Sequence, residues 1–345
     1  MPSKFVSKFF NIVLIIFVFI FTLGITYTAD WDMYYDFFKT ENDETDYVFY
    51  KLSILFHSFH FTFKEFYQFH IIVITFLNYF LITRFTKNYF YVMLAYMVIN
   101  YVHSVNQIRY YMGFPIFILG CYYLLYQKRT FLGILLLILS YLCHTALAVV
   151  LIVIPIYYFV PIKKYFNYIS ILAIITGVII YYMFKAQLGV GIEHFGEYFK
   201  EENTSSIMGG IYNSVPNIIV TVYLYILTRQ TLKRFPEYYN DRMFVFLYKI
   251  CFFPVIFIIP SFFLLILGHR YVVSFYILWV AFFLYMVKDL NHKERLSKFI
   301  LFSSILLLAS FFYYVIPEYI DSKSGTIPEL EEILESIKYL KDIIF

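Results

Sequence analysis

Between residues 9 and 316 the chain is an almost unbroken succession of apolar stretches divided by short polar turns. Most approach the roughly 20 residues that a helix needs to cross the hydrocarbon core of a bilayer. The apolar runs fall near 9–27, 66–83, 89–105, 108–126, 131–143, 145–160, 166–184, 211–228, 243–267, 271–287 and 299–316. Composition agrees: 61% of the 345 residues are hydrophobic and 14% are charged, with mean hydropathy +0.72. Soluble domains carry about 25% charged residues, so lipid must be the solvent for much of this surface. The expected fold is all-α: a single multi-span membrane domain over residues 1–345, with about eleven transmembrane helices.

The first apolar run resembles a signal peptide, because Lys4 and Lys8 precede it. Tyr27-Thr28-Ala29-Asp30 is a poor cleavage site, so the run is read as an uncleaved span. Charge then orients the map. With the N-terminus cytoplasmic, 16 of the 27 lysines and arginines lie inside, at 4–8, 84–87, 128–129, 163–164, 229–242 and 288–298. Four acids (Glu237, Asp241, Asp289 and Glu294) join them, and the other 19 fall outside. This separation follows the positive-inside rule and places the C-terminus outside. The outer segments are loops 28–65 and 185–210 and the tail 317–345. The two loops are expected to face one another over a cavity open to the outer leaflet. Residues 131–160 are expected to form a hairpin with its apex at His144; its first leg, with a rise of roughly 20 Å, is too short for a full crossing.

Two outer segments read as interfacial helices. In 47–63, Val48, Leu52, Leu55, Phe56, Phe59 and Phe63 make one helical stripe. In 326–345 a capping-box sequence, Thr326-Ile327-Pro328-Glu329, precedes an amphipathic run. Cys121, Cys143 and Cys251 lie in apolar stretches without disulfide or zinc spacing, so they read as small buried hydrophobes. His57, His60, His70 and His103 lack ligand spacing, and no metal is expected. No nucleotide-binding or hydrolase signature occurs, and no nucleic-acid partner is expected.

Ionisable groups at membrane depth are costly and mark function. Four places qualify: Asp30-Trp31-Asp32 with Tyr34, Tyr35 and Asp36; Asn106-Gln107-Ile108-Arg109; His144-Thr145; and His269-Arg270-Tyr271. On the charge-derived map all four face outward. Each also has a plainer reading. The arginines can be snorkelling anchors, His144 can satisfy a carbonyl in a bent hairpin, and the aspartates can be a solvated loop.

In order and spacing, these elements resemble the EpsG branch of the Wzy-type polysaccharide polymerases. The resemblance covers roughly residues 25–285. It is carried by Ala29-Asp30-Trp31-Asp32-Met33-Tyr34-Tyr35, Asn106-Gln107-Ile108-Arg109, Gln127-Lys128-Arg129, Cys143-His144-Thr145-Ala146 and Gly268-His269-Arg270-Tyr271. The chain departs from the family pattern at Tyr110, where Gln is usual, at His269, where Glu is usual, and in Gly24-Ile25-Thr26-Tyr27, which lacks an arginine.

The resemblance implies an enzyme that joins undecaprenyl-diphosphate-linked repeat units at the outer leaflet of the bacterial plasma (inner) membrane, building O-antigen, capsule or exopolysaccharide. It implies no cofactor, and it names flippase and chain-length regulator proteins as partners. Arg109 and Arg270 would hold the donor diphosphate. His144, Asp30 or Asp32 would deprotonate the acceptor hydroxyl. Asn106, Gln107, Tyr35, His269 and Tyr271 would contact sugar. Two other classes compete: a lipid-linked oligosaccharide flippase or transporter, and an outer-leaflet glycosyl- or acyltransferase that decorates a finished polysaccharide.

Overall fold

The computed structural model describes residues 4–25, 28, 30–41, 46–185 and 207–314, and its regular elements are helices. The 185–210 loop beyond Lys185 up to residue 206, and the amphipathic segment 326–345, lie outside the described residues.

Among the described residues, six helices are long and apolar enough to cross a bilayer: Phe63–Ile82, Ile108–Tyr126, Ile162–Met183, Gly209–Arg234, Ile266–Val287 and His292–Phe312. Helices satisfy every backbone polar group internally, which lipid demands; the chain is an all-α, multi-pass membrane protein. Of the other five expected spans, the first is one helix, Lys4–Gly24, and the legs of the expected hairpin are the short apolar helices Thr130–Cys143 and Thr145–Phe159. The 89–105 run is interrupted by a π-helical turn at Tyr96–Asn100. The 243–267 run breaks around Pro254 and Pro260, because proline lacks the N–H that continues a helix. Apolarity alone overstated the continuity of the 89–105 and 243–267 runs.

The chain divides into two compact units that meet in sequence at Ile152–Val153. The first contains α1 (Lys4–Gly24), α2 (Trp31–Thr40), α3 (Tyr47–Ser58), α4 (Phe63–Ile82), α5 (Tyr89–Ala95), α6 (Tyr101–Asn106), α7 (Ile108–Cys121) and α8 (Thr130–Cys143). A capping box starts α4: the Thr62 amide donates to Glu65 Oε2 at 2.6 Å and the Glu65 amide to Thr62 Oγ1 at 3.4 Å.

Helix α7 is the axis of this unit, packed between α4 and α8, with most of its residues buried. Small residues let α8 lie close. A Cβ on Gly120 would sit 2.9 Å from Leu137 Cγ, and one on Gly133 would sit 2.7 Å from Leu124 Cβ and 2.8 Å from its backbone nitrogen. Close approach through small residues is the usual means of helix association in lipid. The opposite face of α8 leaves Phe131, Ile134, Leu135 and Ile138 exposed, a surface suited to acyl chains. The expected stripe of α3 divides: Leu55 and Phe59 are exposed, Val48, Leu52 and Phe56 are partly buried, and Phe63 is buried at the start of α4, while Phe49 and Ser53 make the buried face of α3.

The second unit contains α9 (Val153–Phe159), α10 (Ile162–Lys185), α11 (Ile207–Arg234), α12 (Arg242–Phe252), α13 (Val255–Ile258), α14 (Leu265–Tyr271), α15 (Tyr276–Val287) and α16 (His292–Tyr314). Its buried axis is α15, where Trp279 Nε1 donates to Cys251 O at 2.6 Å and Tyr276 donates to Asn217 Oδ1 at 3.0 Å. Helices α10 and α16 are peripheral, and their Ile174, Val178, Ile300 and Leu307 are exposed. Lys249, buried among these apolar residues, donates to the carbonyls of Tyr157 and Val160, both at 2.6 Å. It thereby caps the carbonyl end of α9, where the helix dipole favours a cation. All three cysteines are free and buried.

Candidate functional site

Two breaks in helical continuity place the key side chains of the first unit. Gln107 (φ −106°, ψ 58°) separates α6 from α7, so Arg109 occupies the first turn of α7. A cation there opposes the positive end of the helix dipole and calls for a nearby anion. His144 is the second break: α8 stops at its extended backbone (φ −160°, ψ 118°), and a 3-10 helix, Thr145–Ile152, follows.

The anion is Asp46. It stands at the N-cap position of α3, yet its side chain accepts no hydrogen bond from that helix. Oδ1 instead accepts the Thr145 amide at 3.0 Å, and Oδ2 accepts from His144 Nδ1 at 2.7 Å and pairs with Arg109 Nη1 at 2.9 Å. The Thr145 bond explains the break at His144. In a continued α-helix that amide would seek the carbonyl four residues earlier; Asp46 satisfies it instead. The side chains of Asp46, His144 and Arg109 are 5%, 11% and 15% exposed. Burial by itself raises the Asp46 pKa. The hydrogen bond and charge of His144, the charge of Arg109 and the Thr145 amide outweigh it and hold the carboxyl below its ordinary value.

Aromatic rings close around the cation. The Arg109 guanidinium carbon lies 5.2 Å from the Tyr34 ring centre, 5.3 Å from Phe37 and 5.8 Å from Phe49, within cation–π range. His144 meets Tyr110 edge-on, with centroids 5.8 Å apart. Arg109 Nε is buried and makes no hydrogen bond among the described residues.

The structure thus brings together Arg109 and His144, which sequence alone put on one surface. Asp30 is partly buried and precedes α2, its carbonyl accepting the Tyr34 amide at 3.1 Å. Asp32 and Tyr35 lie exposed on α2, and Tyr35 packs edge-on to Phe63 at 5.5 Å. Asn106 is buried at the end of α6, and Gln107 is partly buried in the break. In the second unit, His269 and Arg270 occupy the last turn of α14 and are partly buried. Tyr271 is buried and stacks on Phe257 at 4.8 Å, which makes it a packing residue within that unit. The Arg270 carbonyl accepts the Ser274 hydroxyl at 2.5 Å.

Asp46 escaped the sequence reading. It is the last of a run of acids, and its only local signal, a position just before an amphipathic helix, points to capping. His57, read as isolated, bonds Glu41 Oε1 at 2.7 Å on the exposed side of α3. Among the described residues no three His, Cys, Asp or Glu side chains gather as metal ligands would.

No curated protein and no solved structure matches the chain. The model of the EpsG family matches residues 8–328. That span takes in nearly the whole sequence, most of α1, all of α2 to α16 and the Asp46–Arg109–His144 cluster included, and this chain belongs to the EpsG family.

Proposed function

We propose that this protein is a polysaccharide polymerase that joins undecaprenyl-diphosphate-linked repeat units at the outer leaflet of the bacterial plasma membrane. The observation that carries the reading is the buried Arg109–Asp46–His144 cluster in a chain of the EpsG family. It combines a cation suited to phosphate with an imidazole suited to proton transfer. No nucleotide is needed, because the lipid diphosphate is already a good leaving group.

The mechanism is direct displacement at the anomeric carbon. The acceptor hydroxyl oxygen attacks that carbon, and its proton passes to His144 Nε2. The bond from the anomeric carbon to the diphosphate oxygen breaks, and the electron pair leaves with the diphosphate. Arg109 stabilises that growing charge, since a guanidinium fork engages phosphate oxygens in pairs; Arg270 is the second unit's candidate for the same role. The proton on His144 is then released to water or to the departing diphosphate, which restores the neutral base. Asp30 and Asp32 serve as alternative bases, while Asn106, Gln107, Tyr35 and His269 bind substrate; Tyr271, buried against Phe257, supports that end of α14 by packing. The proposal includes eleven crossings in one multi-span body, with the N-terminus cytoplasmic and the C-terminus outside.

The length distribution of surface polysaccharide in a deletion strain tests the function. A polymerase null leaves single repeat units on the acceptor. A strain that displays no units at all would make the protein a flippase, and full-length chains lacking a substituent would make it a decorating transferase.

A further inference from the structure

Where the end of α11 meets the start of α16, the second unit holds a groove of about 430 Å³ that the polymerase reading does not use. Helical spacing builds it. Residues 227, 230, 231 and 234 share one face at the end of α11, and 294, 297 and 298 share one on the first two turns of α16. Leu227, Thr231 and Leu290 are buried and make the floor. The rim is charged. Arg234 Nη1 pairs with Glu294 Oε2 at 2.7 Å, and Lys298 Nζ donates to Gln230 Oε1 at 2.9 Å. Each contact uses one N–H, whereas a guanidinium carries five and an ammonium three. Two cations, Arg234 and Lys298, stand against one carboxylate, Glu294, so the rim is positive by one charge. Arg229, Lys233, Lys293 and Arg295 on the same two helix ends add to that potential.

Beyond the rim both helices turn apolar towards the bilayer. One and two turns before Gln230, α11 exposes Ile226 and Val222; one and three turns after Ser297, α16 exposes Leu301 and Leu308. A positive rim continued by apolar helix faces suits a lipid rather than a soluble anion. We propose that this groove binds an anionic glycerophospholipid of the phosphatidylglycerol class. Its phosphodiester lies between Arg234 and Lys298, as in other basic pockets between membrane helices. Its headgroup hydroxyls meet Gln230, Glu294 and Ser297, and its acyl chains follow the exposed side chains of α11 and α16. A zwitterionic headgroup would leave the rim's excess positive charge uncompensated. The inference does not rest on the polymerase reading.

The probe is phosphatidylglycerol itself. The purified full chain, stripped of lipid in detergent, is titrated with phosphatidylglycerol or phosphatidylethanolamine, and bound lipid is counted by native mass spectrometry. The wild type should hold one phosphatidylglycerol about 5-fold tighter than phosphatidylethanolamine, the difference that one charge makes near a headgroup. Arg234→Gln combined with Lys298→Gln should weaken it about 25-fold, the loss expected for two basic residues. Lys163→Gln combined with Lys164→Gln removes equal charge outside the groove and should leave binding unchanged. Ser297→Phe keeps every charge but fills the groove, and it should also weaken binding. In the wild type, phosphatidylglycerol with a photoreactive headgroup should label peptides within 227–234 and 290–298, a readout that needs no variant. Equal affinity for the two lipids overturns the proposal, as does labelling confined to other peptides. Equal loss in the two charge-removing double variants would mean a diffuse surface potential and no site. Displacement of the lipid by an equal concentration of glycerol phosphate would also overturn it, by making the groove a site for a soluble phosphate.

Discussion

At the scale of single residues, the Asp46–Arg109–His144 cluster consists of polar and charged groups that are expensive to bury and therefore bonded to one another. Breaking one side of a buried ion pair costs on the order of 3–5 kcal/mol, because the other charge is left without compensation. Asp46→Asn should lower thermal stability in detergent by about that much at neutral pH. The sign of the pH effect follows from the depressed Asp46 pKa. Its stabilisation is fully present above the ordinary carboxylate pKa of the unfolded chain and is lost as pH falls through the lower folded value. The gap between wild type and Asp46→Asn should be flat from neutral pH down to the carboxylate range and close below it. Unfolding curves across that range check this, and a gap that instead widens towards acid would contradict it.

Arg109 and His144 were legible in the sequence because each stands at the edge of an apolar stretch, where a polar group stands out. Asp46 was not. Run with other acids, it differs from Asp32 or Asp36 only by where the tertiary fold sends it.

At the scale of elements, helix existence was readable from apolar runs, but continuity was not. The π-helical turn at Tyr96–Asn100, the break at Gln107 and the stop at His144 leave no strong mark in composition. The last has its cause 99 positions away, in the bond from the Thr145 amide to Asp46. The α7–α8 contact is more easily tested. Gly133→Val puts a branched side chain where even a Cβ would lie 2.7 Å from Leu124 Cβ. Overpacking typically costs 1–3 kcal/mol, about what a close backbone approach demands here. The variant should unfold several degrees lower than wild type and make less polymer per cell, mainly through reduced protein level. Wild-type melting would mean that α8 is not held against α7 as described. Because α8 carries His144, the same variant should also loosen the site.

At the scale of the whole molecule, membrane class was legible from bulk composition alone, since no soluble fold hides so much apolar surface. Crossing number was less so, because among the described residues six helices are long and apolar enough to cross, two of the expected spans are broken and the two hairpin legs are short. Orientation rests on the separation of 16 basic residues from 19 acidic ones across the charge-derived map. Alkaline phosphatase fused after the C-terminus should be active and a fluorescent-protein fusion dark. The reverse pattern would turn the map over and put Arg109 and His144 on the wrong side for lipid-linked units displayed outside.

The central claim is that this chain forms glycosidic bonds by displacing a lipid diphosphate that Arg109 helps to hold. The most direct test supplies the purified full chain, in proteoliposomes, with undecaprenyl-diphosphate-linked repeat units and no nucleotide sugar. Products are sized while released undecaprenyl diphosphate is counted. Chains of two or more units should appear, with one diphosphate released per bond formed. Arg109→Ala should slow extension by roughly two to three powers of ten, the loss expected when a donor to a developing anion is removed. Arg109→Lys should also be impaired, because the ammonium keeps the charge and loses the fork. No extension by the wild type, or extension at the wild-type rate by both Arg109 variants, would contradict the account.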